Sequence, residues 1–365
     1  MPVNDPAAPL PALDGLRAVS ILIVIVSHAG FGRLVPGGLG VTLFFAISGF
    51  IITRLLLAEW EARGRIAVGA FYGRRALRLL PALLAYLACV ALTFLALGLP
   101  FVLAEWLAAL FYTANLHALW QGFPDHPALA PHPFSILWSL AVEAHFYLIF
   151  PLILAALARR GWFLPALALG CALSLGWRIV VHAACDGGAG PVALCGTFPA
   201  YRIHVGTDTR LDAILYGCAL GWLCRPGGMP GWITARWPLW LGAAMVLASL
   251  VIREPSFRET ARHSLQSAGI ALALGPLLFA PAAAWLRSAL CWPPALLVGR
   301  MSYVLYLFHW LAVGLACAAT GEAMRESPYG AAWYAVFLAA TLLPTAAVYW
   351  GLERPMALWR RRLRH

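Results

Sequence analysis

Apolar residues run through this chain in long blocks separated by short polar or arginine-bearing segments. Blocks long enough, or nearly long enough, to cross a bilayer fall at 15–30, 38–58, 79–99, 136–158, 162–182, 209–225, 235–252, 264–286, 297–319 and 331–352. A membrane-spanning helix needs about 20 mainly apolar residues, because all of its backbone polar groups must be satisfied within the segment. The pattern predicts an all-α polytopic membrane protein with about ten transmembrane helices. An eleventh apolar run, 101–120, follows Pro100 and carries Glu105, Asn115 and His117, so it does not read as an ordinary span.

Composition agrees with lipid as the outer solvent. The chain has 365 residues, 62% of them hydrophobic and 11% charged, against about 25% charged in a typical soluble domain. Its mean hydropathy is +0.79. A soluble enzyme, a disordered chain and a nucleic-acid-binding module are excluded, since none could hide so much apolar surface.

Charge orients the spans. The formal net charge is +11, and every cation among the 26 Lys+Arg is an arginine. Arginine clusters fall at Arg63, Arg65, Arg74, Arg75 and Arg78, at Arg159 and Arg160, at Arg225 and Arg236, at Arg287 and Arg300, and at Arg360, Arg361, Arg362 and Arg364. The positive-inside rule places all of them in the cytoplasm only if 101–120 does not cross. The expectation is therefore ten spans with both termini cytoplasmic. Run 101–120 becomes a re-entrant or interfacial segment on the outer side, covering the site. The chain reads as one membrane domain over 1–365, with a polar tail at 1–12 and a basic cytoplasmic tail at 356–365. It shows no internal repeat and no cleavable signal peptide.

Eight cysteines contain no CxxC pair, so no metal site is expected. Six lie in apolar runs and read as packing residues. Cys185 and Cys195 share a polar, Gly-rich loop and would form a disulfide if that loop meets an oxidising compartment; the sequence leaves both states open.

Ionisable groups inside spans are costly and are candidates for function. Arg17 and His28 are eleven residues apart in the first span. At about 100° per residue this is three turns plus about 20°, with a rise of about 16 Å, so both lie on one helix face. Either alone could serve packing or headgroup contact; their shared face favours a track for a chain-like ligand. Glu143 needs a partner or a proton at its depth, whereas His145 faces away from it and reads as structural. Arg210 and Asp212 open a span on the outer side and could pair with each other or with Glu143. Tyr303, Tyr306 and His309 form a stripe at spacing three. Arg74 and Arg78 share a helix face at the cytoplasmic edge, and with Arg75 they suit a polyphosphate ligand or, equally, anionic headgroups.

These blocks together resemble the acyltransferase-3 family of bacterial membrane O-acyltransferases. Leu13 to Ala18 with His28 looks like its first-span signature. Gly38 to Phe50 looks like its second-span block, although Thr42 stands where the family usually has an acidic residue. Phe71 to Pro81 looks like its arginine block. Leu137 to Pro151, Thr207 to Gly217, Gly299 to His309 and Glu353-Arg354-Pro355 look like the remaining blocks in order, with Leu311 where a proline is common. Many members carry an SGNH-type extension, which this sequence does not show.

The resemblance implies transfer of an acyl group, most often acetyl, from cytoplasmic acyl-CoA to a hydroxyl of an extracytoplasmic or membrane-embedded glycan or glycosylated metabolite. It implies acyl-CoA as donor substrate with no bound cofactor, in the bacterial cytoplasmic (inner) membrane among its lipids. His28 becomes the candidate base or acyl carrier, with Glu143 orienting it or holding the acceptor. Arg17, Arg74, Arg75 and Arg78 become candidates for acyl-CoA binding. Arg210, Asp212, Tyr303 and His309 become candidates for the acceptor side and outer mouth. Two other classes compete: a glycan or lipid flippase, which would also need charges at mid-membrane, and a non-catalytic subunit that relays acyl groups to a separate partner.

Overall fold

The computed structural model describes residues 10–157, 161–186, 190–225 and 228–357. Arg159, Arg160, Arg360, Arg361, Arg362 and Arg364 lie outside the described residues, as do most of the two expected tails. The described residues are helical and contain no β-strand.

The N-terminal half comprises α1 (Ala12–Val26, running into a π-type turn at Ser27–Phe31), α2 (Gly37–Arg63), α3 (Val68–Leu97), α4 (Leu103–Leu110), α5 (Ala114–Trp120), α6 (Trp138–Leu157) and α7 (Phe163–Cys185). Four short or medium helices follow: α8 (Val192–Cys195), α9 (Pro199–Val205), α10 (Thr207–Arg210) and α11 (Asp212–Leu223). The C-terminal part holds α12 (Trp237–Val251), α13 (Pro255–Glu259), α14 (Ala261–Phe279), α15 (Ala284–Leu290), α16 (Pro293–Thr320) and α17 (Ala331–Val348).

Every one of the ten apolar blocks is helical, yet among the described residues 7 helices are long and apolar enough to cross a membrane. The other three have local reasons for falling short. Pro281 lacks an N–H and ends α14, so α14 and the Pro281–Leu290 segment are bent by 92°. Helix α12 stops before Glu254-Pro255, where the Glu254 carboxylate caps α13 by accepting from the Ser256 N–H. Helix α11 has only 12 residues and meets the four-residue α10 at Leu211, so two short helices share that block.

The 101–120 run does not form a spanning helix. Its two pieces, α4 and α5, have 8 and 7 residues. They break where Tyr112 takes φ 55°, a left-handed conformation that a bulky side chain rarely adopts. Burial pushes the Tyr112 phenol up to about 12. Asn115 on α5 donates to the Val205 carbonyl at 3.2 Å and to Thr207 Oγ1 at 2.9 Å, which docks the segment onto α9 and α10.

Helices α2 and α16 form the centre, with 72% and 78% of their most apolar stretches buried, against 28% for α3 and α7. The outer helices turn side chains such as Leu92, Leu95 and Leu173 outward, as lipid-facing positions require. Helices α2 and α11 meet backbone to backbone: a Cβ on Gly49 would lie 2.1 Å from the Ile214 carbonyl oxygen, and one on Gly217 2.1 Å from that of Ala46. Small residues at crossings are how membrane helices gain dispersion contact without a hydrophobic drive. Helix α1 packs between α2 and α16. Cys185 and Cys195 are disulfide-bonded, joining the end of α7 to α8.

Candidate active site

A cavity of about 630 Å³, including its open mouth, lies among α1, α2, α3, α6 and α16. Arg17, Arg75, Arg78 and Glu143 line it, with Ser48, Ser139, Tyr147, Tyr303 and Tyr306 between apolar walls. Each of these polar residues sits on the face that its helix turns toward the cavity.

The arginine block divides. Arg75 lies over the rings of Tyr147 and Phe71, with its guanidinium carbon 5.3 and 5.6 Å from their centres. Arg75 and Arg78 both reach the cavity. Arg74 instead pairs with Glu59 on α2 at 2.9 Å. The expected Arg74–Arg78 face is thus replaced by an Arg75–Arg78 face, because the end of α2 offers Arg74 a carboxylate. Arg17 keeps its side chain 15% exposed and stands 3.9 Å from Asp14.

Glu143 accepts hydrogen bonds from the hydroxyls of Ser48 and Tyr147. It makes no contact with His28, so it does not orient that ring. Tyr147 is one helical turn from Glu143, a spacing legible in the sequence. Tyr303 donates to the Leu79 carbonyl at 3.1 Å, next to Arg78, which places it at the arginine end of the cavity and not at an outer mouth. Tyr306 shares a hydrogen bond of 2.5 Å with Ser139 and donates to the Ile136 carbonyl at 3.1 Å.

Next to Tyr306, outside the residues that line the cavity, lies a histidine pair. The Tyr306 and His309 ring centres are 5.5 Å apart. His309 Nε2 lies 3.1 Å from His28 Nδ1, and His309 Nδ1 lies 3.1 Å from the Leu305 carbonyl oxygen. Trp310 meets His28 edge-on at 4.6 Å. His309 is fully buried, whereas His28 is half-buried. His28 sits at the kink that ends α1, where Ala29 and Gly30 leave helical φ/ψ. Gly30 makes that kink possible: it takes φ 92°, and a Cβ there would meet the Ser327 carbonyl oxygen at 2.5 Å.

Arg210 and Asp212 do not pair with each other or with Glu143. Asp212 pairs with Arg178 of α7 at 2.7 Å and accepts from Ser264 at 2.5 Å. Arg178 also donates to the carbonyls of Thr209 and Thr260, at 2.9 and 2.8 Å. Arg210 turns to His263 and lies 3.4 Å from Thr42 Oγ1, with its guanidinium 5.8 Å from the Trp138 ring centre. Thr42 therefore has a polar neighbour in Arg210. Arg178 was legible in the sequence by the same rule that singled out Arg17, an ionisable group within an apolar run.

The fold defines a class, the polytopic helical membrane proteins. The profile of the acyltransferase-3 family's acyltransferase domain matches residues 10–351, and the chain belongs to the family. It is similar to the O-acetyltransferase OatA of Staphylococcus aureus (strain NCTC 8325 / PS 47), 33% identical over 316 residues that cover 82% of this chain and 50% of the relative. It is also similar to the peptidoglycan O-acetyltransferase OatA of Listeria monocytogenes serovar 1/2a, 28% identical over 323 residues that cover 84% of this chain and 50% of the relative. The chain thus spans about half the length of the curated relatives it matches. No solved structure matches it.

Proposed function

We propose that the protein is a membrane O-acyltransferase that takes an acetyl group from cytoplasmic acetyl-CoA and delivers it to a hydroxyl of a glycan on the outer side of the bacterial inner membrane. The observation that carries this reading is a series of neighbours: Arg17, Arg75, Arg78 and Tyr306 line one cavity, the Tyr306 ring centre lies 5.5 Å from that of His309, and His309 Nε2 lies 3.1 Å from His28 Nδ1. Arginine forks suit the phosphates of CoA. The rise from Arg17 to His28 along one helix suits an extended pantetheine arm. The names of the relatives, O-acetyltransferases in both cases, support the group transferred, and the name of the Listeria relative supports a glycan acceptor.

In this reading His28 is the general base. Its free ring nitrogen takes the proton of the acceptor hydroxyl as that oxygen attacks the thioester carbonyl. The carbon–sulfur bond then breaks, and the proton passes from His28 to the departing CoA sulfur. Ser48 and Tyr147 hold Glu143 beside the cationic wall, where its charge offsets part of that of Arg17 and Arg75 and leaves room for an anionic ligand.

The test is transfer of labelled acetyl from acetyl-CoA to an added glycan by the purified chain. Wild type should transfer label, and His28→Ala should not, at unchanged recovery of folded protein. Transfer by His28→Ala would overturn the base assignment. Movement of a labelled glycan across vesicle membranes without acetylation would favour a flippase. Acetyl loss to water or to a second protein, but never to glycan, would favour an acyl-relay subunit.

A further inference from the structure

We propose that His309 is a positioning residue that locks His28 in the tautomer bearing its proton on Nδ1, so that Nε2 is the lone pair offered to the reacting groups. This rests on the reading of His28 as the base.

The argument starts from a group that cannot donate. A carbonyl oxygen only accepts, so the 3.1 Å approach of His309 Nδ1 to the Leu305 oxygen requires the proton of His309 to sit on Nδ1. No carboxylate contacts either ring among the described residues, and His309 is fully buried, so both rings are neutral imidazoles at rest. A neutral ring with Nδ1–H carries its lone pair on Nε2. That lone pair faces His28 Nδ1 at 3.1 Å, and one proton must lie between the two nitrogens, so His28 Nδ1 is the donor. His28 Nε2 is then unprotonated, and it has no hydrogen-bond partner among the described residues.

The geometry suits a hydrogen bond and not a mere stack. The two ring planes are within 10° of parallel, and their centres are 5.3 Å apart. That separation exceeds the nitrogen–nitrogen distance by two ring radii, so the rings lie edge to edge with the bond along the line joining them. Trp310, the residue after His309, closes on the His28 ring from the side. The order is therefore Leu305 carbonyl, His309, His28, acceptor hydroxyl, each group fixed by the one before. In hydrolase triads a buried carboxylate orients the histidine in this way. Here a neutral imidazole does so, which spares the membrane interior a fixed charge. His309 exchanges no proton with substrate; when His28 becomes cationic during transfer, its Nδ1–H bond to His309 strengthens and steadies that charge.

Two variants of the full chain test this. Phe at 309 fills the space but accepts no hydrogen bond, whereas Gln offers a carbonyl oxygen to His28 Nδ1–H. His309→Phe should lower kcat about 100-fold, within the range for general-base catalysis, with KM for acetyl-CoA within about twofold. His309→Gln should recover most of that loss. Nitrogen-15 NMR of histidine-labelled wild type should show His28 protonated at Nδ1 and bare at Nε2. If His28→Ala is inactive but His309→Phe keeps wild-type kcat, the positioning role is overturned and the base assignment stands. If both variants remain active, the base assignment itself fails. If His309→Phe cannot be recovered folded, the NMR decides: a wild-type His28 protonated at Nε2 overturns the proposal.

Discussion

Arg178 and Asp212 face each other at 2.7 Å with their side chains 0% and 1% exposed, which makes them the most fully sealed ion pair among the described residues. The pair is not self-sufficient: Thr209, Thr260 and Ser264 supply further hydrogen bonds. A charge left alone in such a place costs far more than the pair gains, because the lost partner leaves an undischarged desolvation penalty. Arg178→Met should therefore destabilise the protein by about 3–5 kcal/mol. Arg178→Met combined with Asp212→Asn should cost less than the sum of the single changes. Thermal unfolding in detergent measures both, and additive losses would show that the pair is not coupled.

The division of the arginine block predicts unequal effects on donor binding. Hydrogen bonds to charged groups contribute about 1.5–3 kcal/mol, so loss of one corresponds to tenfold or more in affinity. Arg75→Ala and Arg78→Ala should each weaken acetyl-CoA binding at least about tenfold. Arg74→Ala should change it less than about threefold, since Arg74 is spent on Glu59 in a half-exposed pair of small worth. Calorimetric titration with acetyl-CoA decides; an Arg74 effect as large as that of Arg75 would return the binding face to the Arg74–Arg78 pairing.

Acid should loosen the tie between α10 and α9. Burial pushes the Asp208 carboxyl up, but the Arg202 guanidinium, the Trp177 indole N–H and the Thr209 N–H together hold it below the usual carboxylate range. A carboxyl with a lowered folded pKa contributes stability that is present above its unfolded value, about 3.9, and is lost as pH falls through the folded value. Asp208→Asn should therefore unfold at a lower temperature than wild type at pH 7, and the gap should close as pH is lowered below 4. A gap that stays constant with pH would show that Asp208 acts through packing and not through its charge.

Close helix crossing should tolerate no side chain. Gly49→Val would drive a branched side chain into the Ile214 carbonyl of α11, which is backbone and cannot rotate away. A loss of about 2–3 kcal/mol is expected from such overpacking. A matching change at Gly64, where no atom lies within 4 Å of the added Cβ, should cost only the backbone strain of its positive φ. Monodispersity and melting temperature of the two variants check the contrast.

Much of the site could be found from single residues. Arg17, His28, Glu143, Arg75, Arg78 and Tyr303 are each polar groups in or beside apolar runs; the cavity collects all of them but His28, which pairs with His309 next to Tyr306 of the cavity wall. What single residues do not reveal is the partner. Asp212 chose Arg178 over Arg210, Arg74 chose Glu59, and Glu143 chose Ser48 and Tyr147. Periodicity locates a residue on a face of its own helix but carries no information on which helix that face will meet.

By itself the sequence determined that this is a multi-pass helical membrane protein of one family, because long apolar runs have few other solutions and because the blocks resembling the family follow in order. It also marked which polar residues had to be accommodated inside. Only the tertiary structure decided that His28 meets His309, a residue 281 positions away. Their contact depends on how α1 and α16 pack and on the kink at Gly30, and neither helix encodes the other's rotation. The tautomer proposed for His28 arises at the same level, since a proton's position on an imidazole is set by its neighbours in space.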